Sequence, residues 1–308
     1  MLDGVNPILV QQADRLAREF ETAQPFRHVV IENFLDDSFC QALIREFPGF
    51  DEKQAISESG EVGGKAVFSN LAELGASYAR LDRLMQSPEF LEFTGRVTGI
   101  PHLLYDPEYI GGGTHENLEG QELDTHVDFN YHPRTQTHRR LNLILFLNPE
   151  WEESWGGYLE LLRDPWASDE GVKSVAPRAN TCVIFETTES SWHGFRRIHL
   201  PSGKKTSRRS IAVYFYTKEP PARGAAPSHA TFYYQRSLPQ HIQAGRTLSD
   251  ADLLEIQTLL ARRDQQIQFL YHREMEFSET LANVMNSRSL RWGKRLAGWA
   301  EKIGLVRK

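Results

Sequence analysis

In Glu122-Leu123-Asp124-Thr125-His126-Val127-Asp128-Phe129, a strand reading sets His126 and Asp128 on one face, because successive strand side chains point to opposite sides. One imidazole and one carboxylate then stand a single ligand bite apart. The stretch sits in a region of distinct texture. From about Tyr105, short apolar runs alternate with Gly, Pro and Asn. Beside 122–129, the strands expected are 141–147, 158–162, 171–175, 181–186 and 209–217. Many short strands separated by turn residues point to a sandwich or barrel.

A His-x-Asp pair alone carries little weight, since a chain with 11 histidines meets one readily by chance. Its chemistry needs a third ligand. Ser191-Trp192-His193-Gly194-Phe195, just beyond the apolar strand at 181–186, offers His193. Two imidazoles and one carboxylate that leave three metal positions open form the facial triad of non-haem Fe(II) oxygenases. Such a site needs a two-electron cosubstrate, and 2-oxoglutarate supplies one by chelating iron through its keto-acid end. Its far carboxylate must be held by a cation inside an apolar barrel. Arg208-Arg209-Ser210-Ile211-Ala212-Val213-Tyr214-Phe215-Tyr216 opens an apolar strand with two cations. Alternation puts Arg208 with Ser210 and Ala212, and Arg209 with Ile211. A guanidinium fork binds a carboxylate bidentately, so Arg208 beside the Ser210 hydroxyl is the better site.

As a set, these pieces resemble the catalytic core of the Fe(II)/2-oxoglutarate-dependent dioxygenases, in the prolyl 4-hydroxylase-like branch. The resemblance covers roughly 111–217. It runs through His126-Val127-Asp128, Arg140 to Asn148, Trp155-Gly156-Gly157-Tyr158-Leu159-Glu160-Leu161, Pro177 to Phe185, Trp192-His193-Gly194 and Arg208-Arg209-Ser210. It implies a mainly β fold with α elements: a double-stranded β-helix (jelly roll) with N-terminal supporting helices. It implies iron on His126, Asp128 and His193, the 2-oxoglutarate C5 carboxylate on Arg208, O2 as oxidant and ascorbate as a reductant. The reaction implied is hydroxylation of an unactivated C–H bond with release of succinate and CO2. The substrate implied is a prolyl or other peptidyl side chain, a small molecule or a glycan. Phe146 stands where relatives often carry a Tyr that bonds 2-oxoglutarate, so Asn142 or Tyr105 is expected to supply that contact.

Gly156-Gly157 is expected to turn the chain beneath the metal. Gly111-Gly112-Gly113-Thr114-His115 is read as a flexible rim loop near the substrate mouth, and His115, His132 and His138 as solvated, with substrate contact as the alternative. Upstream, a helix is expected at 11–21, a strand at 27–34, a helix beginning near Phe39 and helical pattern over about 71–97. The dioxygenase domain is expected to span 1–219, with its jelly-roll core at about 105–219. Residues 220–308 form a linker and a helical extension.

In that extension Leu253, Ile256, Leu260, Arg263, Ile267, Leu270, Glu274, Phe277, Leu281 and Val284 step by three and four. This is a heptad seam with polar interruptions at Arg263 and Glu274. Two readings stay open: a coiled coil that makes a homodimer, or a long helix packed on the chain's own domain. Residues 288–308 are basic with interspersed Trp and Leu, which suits peripheral membrane contact, a partner, or docking on the chain itself. Met285 to Trp292 resembles the helical ends of some bacterial cell-envelope glycan-assembly proteins.

The 308 residues carry a net charge of -6, which argues against a nucleic-acid binder. Two distant cysteines fit no disulfide framework and suit a cytoplasmic setting. Met1 to Val10 does not read as a secretory signal, and no apolar run approaches a membrane span. Two rivals remain: a zinc hydrolase built on His126, Asp128 and His132, disfavoured by Pro133, and a non-enzymatic jelly-roll binding module.

Overall fold

Apolar residues at helical spacing give the N-terminal helices one buried side. The structure is a computed structural model and describes residues 2–49, 66–68, 70–167, 171–222 and 226–287. In α1 (Pro7–Gln11) and α2 (Ala13–Thr22), Leu9, Ala13, Leu16 and Phe20 are all buried. The helix expected over 11–21 is thus two pieces meeting at Gln12. Next come β1 (His28–Ile31), α3 (Asp37–Arg45) and β2 (Ala66–Phe68). The helical pattern expected over 71–97 is interrupted as well. It opens as a 3-10 turn at Leu71–Glu73, then forms α4 (Ala76–Gln86) and α5 (Pro88–Thr98). Proline disfavours helical geometry in the residue before it. Ser87 is therefore extended, and its side chain accepts the Phe90 amide to cap α5.

The strands that follow are β3 (Leu104–Tyr105), β4 (Gly113–Asn117), β5 (Leu123–Val127), β6 (His138–Phe146), β7 (Leu159–Leu162), β8 (Lys173–Val175), β9 (Cys182–Glu186), β10 (Trp192–Phe195), β11 (Arg208–Thr217) and β12 (Phe232–Tyr233). They form two antiparallel sheets. The larger runs β1-β9-β6-β11-β4-β2, with β3 also paired to β11, and the smaller runs β12-β5-β10-β7-β8. This is the expected jelly roll. Strand parity divides the core. Leu141, Leu143 and Leu145 of β6 and Ile211, Val213 and Phe215 of β11 pack with the N-terminal helices. Ile144, Phe146, Val183 and Phe185 face inward and meet Leu159 and Leu161 of the smaller sheet.

Two sequence expectations change here. The segment read as a rim loop at 111–115 enters β4, which pairs with both β11 and β2. Glycine is needed at Gly112 because a Cβ there would lie 2.8 Å from the Ala212 carbonyl oxygen, closer than any real side chain sits. The first compact unit also runs past 219 and ends at Tyr234, since β12 adds to the smaller sheet beside β5.

The second unit begins at Gln235 and contains α6 (Asp250–Asn286), 37 residues long. Ser249 and Asp252 form a reciprocal capping box at its start. No helix among the described residues is long and apolar enough to cross a membrane. The basic stretch 288–308, with its expected membrane or partner contact, lies outside the described residues, as does most of the glycan-assembly resemblance at 285–292.

Candidate active site

The β5–β10 pairing sets His126 directly opposite His193, with ring centroids 4.3 Å apart. The His126 Nδ1 lies 2.8 Å from the Asp124 carbonyl oxygen, and the His193 Nδ1 lies 3.0 Å from that of Ser191. A ring nitrogen facing a carbonyl carries the proton, so each Nε2 is the lone-pair side. Both Nε2 atoms turn to Asp128, at 3.7 Å from Oδ1 for His126 and 3.4 Å from Oδ2 for His193. The three ligand atoms all lie within 4.8 Å of one another. Bonds of about 2.1 Å at right angles would place donor atoms about 3 Å apart, so a modest inward movement closes the set on a metal. The Tyr233 ring of β12 covers His126 at 5.1 Å, and Phe185 packs on His193 at 4.8 Å.

Asp128 is held from behind by a residue that the sequence reading passed over. Arg139 at the start of β6 has a fully buried side chain, and its Nη2 is 3.1 Å from Asp128 Oδ2. Its guanidinium lies 3.5 Å from the Tyr214 ring centroid and 4.5 Å from that of Phe129. Asn142, expected to contact 2-oxoglutarate, works here instead. Its amide nitrogen donates to Asp128 at 2.8 Å, and its oxygen accepts from Arg139 at 3.0 and 2.7 Å. Burial works against the Asp128 anion. Arg139, then the two histidines and the Asn142 N–H outweigh it, and the carboxyl ionises well below the usual range. The signal for Arg139 was the Arg139-Arg140 doublet opening an apolar strand. Only the pairing of strands shows that the first arginine turns inward.

Arg208 is buried on the inner face of β11, on the parity shared with Ser210. Its Nε donates to the Gly157 carbonyl at 2.6 Å. Its guanidinium sits 4.1 Å from the Phe195 ring centroid and 5.1 Å from that of Phe146. No carboxylate of the described residues pairs with it, and burial pushes it down to about 9. Arg209 has the opposite fate. It turns to the helix side and pairs with Glu116 at 3.2 Å. Phe195 stands two residues from His193 on β10, so the Arg208 guanidinium packs on the strand that carries the histidine. Gly156 and Gly157 both adopt positive φ, 62° and 66°. A Cβ at Gly157 would meet Ile198 and Trp151 at 3.1 Å, so the bare backbone lets this carbonyl reach Arg208.

Other expected residues are not brought to this cluster. Tyr105 donates to Asp82 of α4, which also accepts from the Tyr109 hydroxyl. That cluster belongs to the helix side, so the structure brings Tyr105 to Asp82 and not to the three metal donors. His132 is buried, not solvated. Its Nε2 faces Asp106 at 3.3 Å and its Nδ1 accepts the amides of Arg134 and Thr135. Both ring nitrogens are committed, so the zinc set of His126, Asp128 and His132 does not assemble. His115 and His138 lie on β4 and β6, not on solvated loops. A cavity of about 660 Å³ reaches Asp128 and Arg139, with Pro101, His102, Glu189 and Pro220 among its walls.

Residues 113–216 match the 2OG-Fe(II) oxygenase superfamily. This segment is a 2OG-Fe(II) oxygenase domain. The oxygenase segment contains His126, Asp128, His193 and Arg208. The chain is 39% identical over 140 residues to prolyl 3-hydroxylase OGFOD1 of Xenopus laevis, covering 42% of this chain and 27% of that protein. It is 25% identical over 224 residues to prolyl 3-hydroxylase OGFOD1 of Mus musculus, covering 70% and 36%. The matches thus span about a third or less of these relatives' lengths. Among solved structures, a prolyl 4-hydroxylase from Phytophthora capsici aligns with TM-score 0.48 at 18% identity, covering 96% of this chain and 89% of that one. A Pseudomonas putida prolyl-4-hydroxylase aligns with TM-score 0.47 at 15% identity, covering 67% and 100%.

The oxygenase domain's residues fit the two groups its superfamily is named for. Two imidazole nitrogens and a carboxylate gathered on one side suit Fe(II) with open positions opposite. A buried guanidinium with no carboxylate of its own suits the far end of 2-oxoglutarate.

Proposed function

We propose that this protein is an Fe(II)- and 2-oxoglutarate-dependent hydroxylase that acts on a prolyl residue of a peptide or protein. The observation that carries this reading is the pairing of two environments inside one domain. Three metal donors converge at one strand pair, and a buried arginine with no carboxylate partner among the described residues packs on Phe195 of that pair. Bound iron with 2-oxoglutarate and O2 supplies the oxidising power to turn a substrate C–H into C–OH, with succinate and CO2 as the other products.

The chain's own residues position and protect. His126, Asp128 and His193 hold the metal. Arg139 and Asn142 fix the carboxylate that completes the set. Arg208, steered by the Gly157 carbonyl, holds the 2-oxoglutarate C5 carboxylate, with Ser210 beside it. Phe146, Phe185 and Phe195 wall the interior and keep water from the reacting carbon. The cavity at Asp128 and Arg139 receives the substrate. The prolyl assignment draws on the names of the curated relatives. A cytoplasmic setting belongs to this reading too, supported by two buried free thiols, Cys40 and Cys182.

The test is turnover of 2-oxoglutarate by the Fe(II)-loaded full chain, followed as succinate, with a library of proline-bearing peptides. A peptide gaining one oxygen, located on proline by fragmentation, supports the assignment. Isomer analysis then separates 3- from 4-hydroxyproline. Turnover stimulated only by a glycan or a small metabolite would overturn the prolyl part. No binding of 2-oxoglutarate to the Fe(II) protein would overturn the whole.

A further inference from the structure

The long C-terminal helix α6 carries a stripe of apolar side chains that is largely exposed among the described residues. Leu260, Ile267, Phe277, Leu281 and Val284 are each more than half exposed, Phe277 at 71%. The stripe repeats every 3.5 residues over five heptads, at 253, 256, 260, 263, 267, 270, 274, 277, 281 and 284. A repeat of that period sustained this long is the pattern of a coiled coil. The N-terminal half of the helix has a neighbour on an adjoining flank, which reaches the stripe at Arg263. Arg236 pairs with Glu255 at 2.6 Å, and His241 faces Asp252 at 2.8 Å. Arg263 donates to the Arg236 carbonyl at 2.8 Å, at the edge of the stripe.

The two charges in the seam decide what covers it. Its first and last positions, 253 and 284, are symmetric about the point between residues 268 and 269. Arg263 and Glu274 are symmetric about the same point. In a parallel, in-register pair each residue meets its own copy, so Arg263 would face Arg263 and Glu274 would face Glu274, burying two like-charge contacts. In an antiparallel pair centred between 268 and 269, the first seam position of each heptad meets the second of the other chain. Leu253 then faces Val284, Leu260 faces Phe277 and Ile267 faces Leu270. Arg263 faces the Glu274 of the second copy, and the contact occurs twice by symmetry. Every apolar layer meets an apolar layer, and each charge meets its opposite.

We propose that the protein forms a homodimer through an antiparallel two-stranded coiled coil of this helix, with Arg263 and Glu274 fixing both orientation and register. Polar residues at seam positions serve this purpose elsewhere, since misaligned pairings leave them buried against apolar side chains or like charges. At 1.5 Å per residue, the helix starts lie about 55 Å apart, at opposite ends of the coil.

The test uses the full chain. Sedimentation over a concentration series should show a monomer–dimer equilibrium for the native protein. Glu274→Arg leaves the Arg236 and Glu255 contacts untouched, yet places two arginines face to face. It should weaken the dimer about 100-fold or more. Arg263→Glu should do the same. The double exchange Arg263→Glu with Glu274→Arg should restore the dimer to within about 10-fold of native, with circular dichroism unchanged throughout. In a parallel coil the double exchange keeps both like-charge contacts and restores nothing. A spin label at Glu279→Cys reads orientation directly, since Cys40 and Cys182 are buried. Antiparallel pairing puts the two labels about 30 Å apart. A separation below about 20 Å, a double exchange no better than either single, or a monomer at every concentration each overturns the proposal.

Discussion

Replacing Arg208 by methionine should remove 2-oxoglutarate binding without weakening the ligand-free fold. The guanidinium is fully buried and makes one hydrogen bond, from Nε to the Gly157 carbonyl. Its two terminal nitrogens remain for a carboxylate. Two charge-assisted hydrogen bonds are worth about 1.5–3 kcal/mol each, so their loss removes about 3–6 kcal/mol, or roughly 10²–10⁴ in affinity. The ligand-free balance differs. Methionine leaves the Gly157 carbonyl unpaired, which costs about 1–3 kcal/mol. It also removes an unpaired buried cation, whose effective burial penalty is several kcal/mol. The sum is near zero or favourable. Arg209→Met is the control one residue away. It strands Glu116, whose side chain is only 6% exposed, and should lower stability by about 1–3 kcal/mol, discounted because Arg209 is itself a third exposed. Its 2-oxoglutarate affinity should stay native. The assay is anaerobic titration of the Fe(II) protein with 2-oxoglutarate, read at the metal-to-ligand charge-transfer band, beside thermal melts of all three proteins. Arg208→Met binding within threefold of native, or Arg209→Met losing affinity as severely, would refute the reasoning.

Arg139→Met leaves the Asp128 carboxylate buried without its cation. The metal-free protein should lose about 3–5 kcal/mol, and the thermal shift on adding Fe(II) should exceed the native one because the metal supplies the missing charge. An equal shift in both proteins counts against the role assigned to Arg139. Gly157→Ala must hold φ near 66° with its Cβ 3.1 Å from Ile198 and Trp151. It should cost about 1–3 kcal/mol and raise the KM for 2-oxoglutarate, by displacing the carbonyl that steers Arg208. His28, buried in β1 with its Nδ1 on the Phe26 carbonyl, is held below the ordinary histidine range, by burial above all. The unfolded chain therefore binds the extra proton first, so His28 subtracts stability as pH falls below about 6.5. His28→Gln should flatten the native stability slope between pH 7 and 5 in urea titrations, and an unchanged slope refutes it.

The strands were legible in the sequence because their cue is local. Near-continuous apolar runs along 141–147, 181–186 and 209–217 produced β6, β9 and β11 within a few residues of the expected bounds. The same parity separated Arg208 from Arg209. β4 was missed because Gly111-Gly112-Gly113 carries little strand signal. Its glycines exist for close approach to β11, which is a property of the partner strand. The interruptions at Gln12 and Ser87 were also invisible to apolar spacing, although Pro88 marked the second. The protein partners of Tyr105 and Asn142 were not legible, because a polar side chain's partners depend on what the fold places opposite. Asp82 claimed the one, and Asp128 with Arg139 claimed the other.

Local spacing alone specified the residue types of the candidate metal site, the cation at the head of β11, and the period of the C-terminal seam. Each of these depends on spacing along one strand or one helix, where geometry is fixed by the backbone repeat. Only packing at long range set His193 across from His126, put Arg139 behind Asp128, and gave Arg209 the carboxylate of Glu116 while Arg208 has none among the described residues. Those facts join residues 67, 11 and 93 positions apart in the chain. Pairing at that range is settled by sheet register and by the energy of burying charge, neither of which is written in any local stretch.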